Sequence, residues 1–211
     1  MIGKLCLALS LVAAVATPNL SAGSVAIADL YNTGVDSSHV LLATGEPDLN
    51  YTLAHAGSPT TPVANRLAGT WVPDTSIARW IVPQGSMPNG TYTYSTTFTV
   101  GADADLASAS ILGRLTADDT VDDVLLNGNS LGISTGDQSY GTWYDLAIND
   151  YFQVGENVLT FVTRNTNGGP TGLIVEMTGS YNAVPEPSSM ALLGLGAVGA
   201  LACRRLRRRP A

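Results

Sequence analysis

Between Cys6 and Cys203 the 211-residue chain contains no cysteine. That gap excludes an internal disulfide and a thiolate metal site over nearly the whole chain. It leaves the redox compartment open, because a cysteine-free domain folds in any of them. Basic residues are scarce too. Lys4 stands near the start and Arg204, Arg205, Arg207, Arg208 and Arg209 stand at the end. Only Arg66, Arg79, Arg114 and Arg164 lie between, in the region that holds sixteen of the seventeen carboxylates. The formal net charge of −7 therefore conceals a central segment near −12. Such a surface repels phosphates, which excludes nucleic acid as a partner, while it suits cations, sugars and other neutral molecules. Histidine occurs only as His39 and His55, in unrelated loop-like contexts that read as surface or locally satisfied positions. A Ser-His-Asp or zinc centre would need one of them beside the right partners, and G-x-S-x-G and H-E-x-x-H are both missing. These absences point away from an enzyme. Long stretches with a period near 3.6 are also lacking in the centre, which argues against a helical core.

The two ends carry what the centre lacks. MIGKLCLALSLVAAVATPNLSA places one lysine before an apolar run and then small residues, the plan of a secretory signal peptide over residues 1–22. Cleavage after Ala16, Ala22 or Ala28 fits; the neighbourhood of Ala22 is favoured because residues 27–31 read as a strand. A buried helix of the fold is the alternative reading. Near the other end, residues 190–203 form a fourteen-residue apolar stretch. A full membrane span takes about 20 residues, so this one suits a thin or deformed bilayer. Gly194, Gly196 and Gly199 let it pack closely against other helices. The arginines that follow hold their end in the cytoplasm and leave the centre facing outward. Gly194 to Gly199 also match G-x-G-x-x-G, but only twelve residues follow, so the strand, helix and acidic residue of a dinucleotide site are missing.

VPEPSS, then a Leu/Gly/Ala-rich segment, then CRRLRRR at the extreme C-terminus resembles the PEP-CTERM sorting signal of Gram-negative bacteria. The resemblance covers residues 184 to about 209. It implies recognition of Pro185, Glu186 and Pro187 by an exosortase, transient anchoring in the inner membrane, and removal of the tail during export to the surface or extracellular matrix. The chemistry of the triplet agrees. Pro185 and Pro187 cannot continue a helix and hold the segment extended, a form that a membrane-embedded protease can grip. An ordinary tail anchor is the alternative.

Residues 23–183 read as an all-β domain. YTYSTTFTV (92–100), ASILGRLT (109–116), VDDVLL (121–126), NVLTFVTR (157–164) and GLIVEMTGSY (172–181) are short β-branched or alternating runs. Asn127-Gly128 is a hairpin signal, and Pro59, Pro62, Pro73, Pro83, Pro88 and Pro170 punctuate the loops. The pattern predicts a β-sandwich or barrel. ARWIVP, GTYTYSTTFTV, ILGRLTADDTVDDVLLNG and VGENVLTFVTRNTNGGPTGLIVEMTG, in that order, resemble a galactose-binding-domain-like jelly roll. The resemblance implies carbohydrate binding in some members and purely structural roles in others.

Two sets of residues are candidates for chemistry. Asp118, Asp119, Asp122 and Asp123 concentrate hard oxygen ligands and suggest a Ca²⁺ site. Their spacing departs from an EF-hand, and the alternative is a turn held by carboxylates bonded to backbone N–H groups. Trp143 and Tyr144, in GDQSYGTWYD, are candidate sugar-stacking residues, with packing as the alternative; Trp80 is expected in the core. The expectation is a non-enzymatic exported protein associated with exopolysaccharide or biofilm. A structural or adhesive protein without a small ligand, and a secreted glycan hydrolase, are the alternatives.

Overall fold

The computed structural model describes residues 23–65, 69–166 and 168–184. The readings for the signal peptide, the sorting triplet, the apolar stretch and the arginine cluster lie outside the described residues. The described residues form twelve strands: β1 (Ser24–Ala26), β2 (Thr52–His55), β3 (Ser58–Thr60), β4 (Val63–Asn65), β5 (Trp80–Val82) and β6 (Gly90–Val100) in the first half, then β7 (Ala104–Asp118), β8 (Thr120–Leu126), β9 (Asn129–Ser130), β10 (Tyr144–Ile148), β11 (Gly155–Asn165) and β12 (Gly172–Ala183). Period-two alternation decides which side of each is covered. Along β6, Tyr92, Tyr94, Thr96, Phe98 and Val100 are buried, and the residues between them are exposed or half-buried.

The strands form two six-stranded sheets. One has the order β10-β7-β12-β5-β4, with β1 paired to the far end of β12; the other runs β3-β2-β6-β11-β8-β9. Inward side chains of both fill one core, including Tyr92, Tyr94, Phe98, Ile111, Leu115, Leu126, Leu159, Phe161 and Val175. Each large apolar side chain removed from water contributes roughly 1.5–3 kcal/mol. Gly113 is required where β7 meets β12, because a Cβ there would lie 2.0 Å from the Glu176 carbonyl oxygen. The expected Asn127-Gly128 turn joins β8 to β9, both residues having positive φ as a type I′ turn demands.

Residues 27–31, expected as a strand, form a turn instead; the strand lies earlier, at β1. Ile27 and Leu30 still enter the core, so their apolar character reflects burial in a loop. The long loop up to β2 is pinned by Asp48. Its Oδ2 accepts from Gly34 N–H at 2.8 Å and its Oδ1 from Asn50 N–H at 3.0 Å. Asp48 is fully buried. Burial pushes its carboxyl up to about 6, against the pull of those two N–H donors.

Both described ends leave the sandwich at one pole. β1 runs antiparallel to the last turn of β12, with Ser24 opposite Asn182 and Ala26 opposite Ser180. The other end of β12, Gly172, pairs with Asp118. At about 3.3 Å per residue, twelve-residue β12 separates the two poles by roughly 36 Å.

Candidate functional site

A groove of about 440 Å³ opens between the β2–β3 hairpin and the loop that leaves β5, on the half of the sandwich away from the described ends, Gly23 and Val184. The size falls within the range of small-ligand sites, roughly 300–1,000 Å³. Its floor is apolar, formed by buried Leu53, Pro83 and Tyr92; its rim carries Ser58, Thr60, Thr61, Gln84 and Ser86. Alternation in β2 turns Leu53 and His55 to the same side, and the hairpin sets Thr60 and Ser58 directly opposite them. His55 stacks on Tyr92 with ring centroids 4.2 Å apart and an 18° tilt. Its Nδ1 lies 3.0 Å from the Thr91 carbonyl oxygen. A carbonyl only accepts, so Nδ1 carries the hydrogen, and Nε2 of the neutral ring is an acceptor. Tyr92 is held in turn by its hydroxyl, which donates to Pro88 O at 2.7 Å. Among the described residues no Asp, Glu, Lys or Arg lines this groove.

The aromatic pair singled out in the sequence does not come together. Tyr144 opens β10, where Leu146 and Ile148 point into the core, so Tyr144 shares their side of the sheet and Trp143 emerges on the other. Trp143 joins a satellite cluster on the outer face, with Val72, Ala78, Trp80, Ile174, Trp71 and Tyr140. The Arg114 guanidinium lies 4.3 Å from the centre of its ring, a cation–π contact. Arg114 also donates from Nε to Glu176 at 2.6 Å. One face of the indole is thus covered by Arg114, and the ring packs against the cluster. Trp80, expected in the core, is fully buried, and its Nε1–H donates to Val72 O at 2.8 Å. A second, more open groove of about 300 Å³ beside Arg114 is lined by Ile77, Leu112, Asp145, Glu176 and Thr178 among others.

The four aspartates are divided by a β-bulge. Opposite Val162 and Thr163 the register of β8 shifts between Asp123 and Val121, so Asp122 is the extra residue. Its Oδ2 accepts from Arg164 Nε at 2.8 Å and Nη2 at 2.6 Å, and its Oδ1 from Thr120 Oγ1 at 3.0 Å. Asp123 accepts from Val124 N–H at 2.8 Å. Asp118 and Asp119 are buried at the far pole. Asp119 Oδ2 accepts from the Thr166 amide at 2.7 Å and its hydroxyl at 2.8 Å, a carboxylate fixing a turn. Burial first, then the neighbouring Asp119, pushes the Asp118 carboxyl up to about 8. Among the described residues no three His, Cys, Asp or Glu side chains gather to hold a metal ion. The Ca²⁺ expectation at these four positions thus lacks an assembled ligand set. The positions carry an ion pair, a local hydrogen bond and a carboxyl pair instead.

Of the two histidines, His39 stacks on Tyr31 at 4.9 Å in the opening loop, as a loop residue should. His55 is the functional candidate that sequence reasoning passed over. Its context became informative only when β2 paired with β6 and brought Tyr92 beneath it.

A family profile for the PEP-CTERM protein-sorting motif matches residues 183–209. The chain carries a PEP-CTERM sorting motif. It is therefore a protein exported and sorted by way of an exosortase. The sandwich is similar to a CBM35 from Paenibacillus barcinonensis, at 17% identity over 64% of this chain and 98% of that one, with a TM-score of 0.34. It is similar to a family 35 carbohydrate binding module from Clostridium thermocellum, at 14% identity over 77% and 100% of the chains, also at 0.34. An exo-beta-1,3-galactanase from Phanerochaete chrysosporium matches at 14% identity over 74% of this chain and 29% of its own, with a TM-score of 0.26. These likenesses concern the all-β sandwich alone. No curated protein matches the chain.

Proposed function

We propose that the exported domain binds a neutral glycan in the groove between the β2–β3 hairpin and the β5–β6 loop. The protein works at the cell surface or in the matrix, among exopolysaccharide, after an exosortase has removed a tail that tethered the precursor to the inner membrane. One observation carries the binding reading: an apolar floor with an aromatic platform, His55 on Tyr92, ringed by hydroxyl and amide groups, with no Asp, Glu, Lys or Arg among the described lining residues. A pyranose presents an apolar C–H face and a rim of hydroxyls, which matches such a surface. The surplus of carboxylates elsewhere disfavours uronate or sulfated chains. A glycosidase needs two carboxyl groups flanking the bond, and among the described residues none lines the groove. The far position of the groove suits this role, because the tail leaves from the opposite pole.

The test is a glycan array probed with residues 23–184. Neutral glycans should be retained and anionic ones not. His55→Ala should lower the affinity about tenfold, the loss of one stacking and hydrogen-bonding side chain, while Trp143→Ala leaves it unchanged. Retention of no glycan would favour the structural or adhesive alternative. Dependence on Trp143 in place of His55 would move the site to the outer face.

A further inference from the structure

The wall of the groove is a loop that neither sheet holds. Residues 83–89 join β5 to β6 and bring Pro83, Gln84 and Ser86 to the groove. Among the described residues no main-chain to main-chain hydrogen bond ties this loop to the rest of the fold. Gln84, Gly85 and Ser86 at its tip are exposed, and neither the Gln84 amide nor the Ser86 hydroxyl has a hydrogen-bond partner among the described residues. Both are free to meet the hydroxyls of a sugar. A loop that is ordered only on binding costs affinity, whereas one fixed beforehand does not.

Side chains fix the stem of the loop instead. Asn165, the last residue of β11, donates from Nδ2 to Met87 O at 3.0 Å, with Gly169 O at 3.4 Å and Pro88 O at 3.5 Å beside it. The Tyr92 hydroxyl reaches Pro88 O from β6. Asn89 Nδ2 donates to Thr166 O at 2.9 Å, and Thr171 N–H to Met87 Sδ at 3.4 Å. Asn165 is itself clamped on both flanks by Asp119, whose N–H donates to Arg164 O at 2.9 Å and whose carboxylate accepts from Thr166. Alternation in β11 turns Asn165 inward with Phe161 and Thr163. The carbonyls around its amide only accept, so the nitrogen faces them. That leaves Oδ1 buried with no hydrogen-bond partner among the described residues, an arrangement that costs stability. An apolar side chain of the same size would avoid that cost and leave the loop untied.

We infer that Asn165 is a positioning residue of the glycan groove: it holds the β5–β6 wall so that Gln84 and Ser86 face the sugar, and it does so from behind, without lining the groove itself. This rests on the binding reading above. The wall is set before a glycan arrives, and Asn165 contributes to binding through Gln84 and Ser86 alone. Asp119 backs the same device by fixing residues 164 and 166 on either side.

The experiment uses the full chain, purified in detergent from a Gram-negative host, with cellohexaose, mannohexaose and galactohexaose as calorimetric probes. Thermal unfolding of the same samples reports folding. Asn165→Leu should stay folded and bind the best of these probes about tenfold more weakly, the cost of ordering two side chains that the wild type holds ready. Asn165→Ser, too short to reach Met87, should weaken binding in the same way and covers the case of a Leu variant that does not fold. In a chain carrying Gln84→Ala and Ser86→Ala the wall has nothing left to place, so adding Asn165→Leu should change the affinity by less than about twofold. An unchanged affinity in a folded Asn165 variant overturns the inference. So does the same loss in the Gln84→Ala, Ser86→Ala chain as in the wild type, which would mark a general loosening of the fold. A wild-type chain that binds none of the probes defeats the binding reading itself, and this inference with it.

Discussion

Asn at position 48 keeps the shape of the buried carboxyl and abolishes its titration. The folded Asp48 carboxyl sits at about 6, raised from its ordinary 3.8 by burial. The folded state therefore holds the proton more tightly than the unfolded chain. Asp48 contributes stability that is complete below pH 4 and is lost as pH rises through 6. Two pKa units correspond to roughly 3 kcal/mol in full, of which about 2.5 kcal/mol falls between pH 4 and pH 7. Asp48→Asn also has a fixed cost of about 1–3 kcal/mol, because the new Nδ2 must face the N–H of either Gly34 or Asn50. That cost does not change with pH. Urea unfolding of residues 23–184 at the two pH values isolates the titration: the wild type should exceed the variant by about 2.5 kcal/mol more at pH 4 than at pH 7. An advantage of the same size at both values would refute the assignment of a raised pKa to Asp48.

Asp118 extends the same trend upward. Its folded carboxyl lies near 8, so its contribution is lost across the range from about pH 4 to pH 8. Between pH 6 and pH 8 the melting temperature of the wild type should fall more steeply than that of Asp118→Asn, whose amide still donates to Asp119; equal slopes would count against the shift. Gly113→Ala should destabilise the domain by about 3 kcal/mol or more, visible as a lowered urea midpoint, because the Glu176 carbonyl cannot withdraw without breaking the β7–β12 ladder.

Much of the sandwich is legible in the sequence because the long strands are built from β-branched and aromatic residues. β6, β8, β11 and β12 fall where those runs lie, and Asn127-Gly128 marks its turn. β7 is longer than its apolar signal, since residues 104–108 are Ala, Asp and Ser with one Leu; pairing with β12 makes them strand, whatever their propensity. β2 to β5 are short and lie among prolines, so period-two alternation has no room to show. The PEP-CTERM signal is legible because it is local, with triplet, apolar run and arginines in one stretch. The groove is the opposite case. Its residues come from positions 53 to 92 and are assembled by pairing between distant strands. Trp143 and Tyr144 are adjacent in sequence, yet strand geometry sends them to opposite faces. The aspartates are clustered in sequence too, and a single bulge redirects Asp122 to Arg164.

The central claim is export followed by loss of the tail, leaving the domain outside the cell with its far groove free. The intact mass and C-terminal peptide of the protein recovered from its own bacterium, taken by cell fraction, test it most directly. The account predicts a C-terminus near Pro187 in the outer-membrane or medium fraction. A full-length tail, ending at Ala211 and confined to the inner membrane, would contradict it and make residues 190–203 an ordinary anchor.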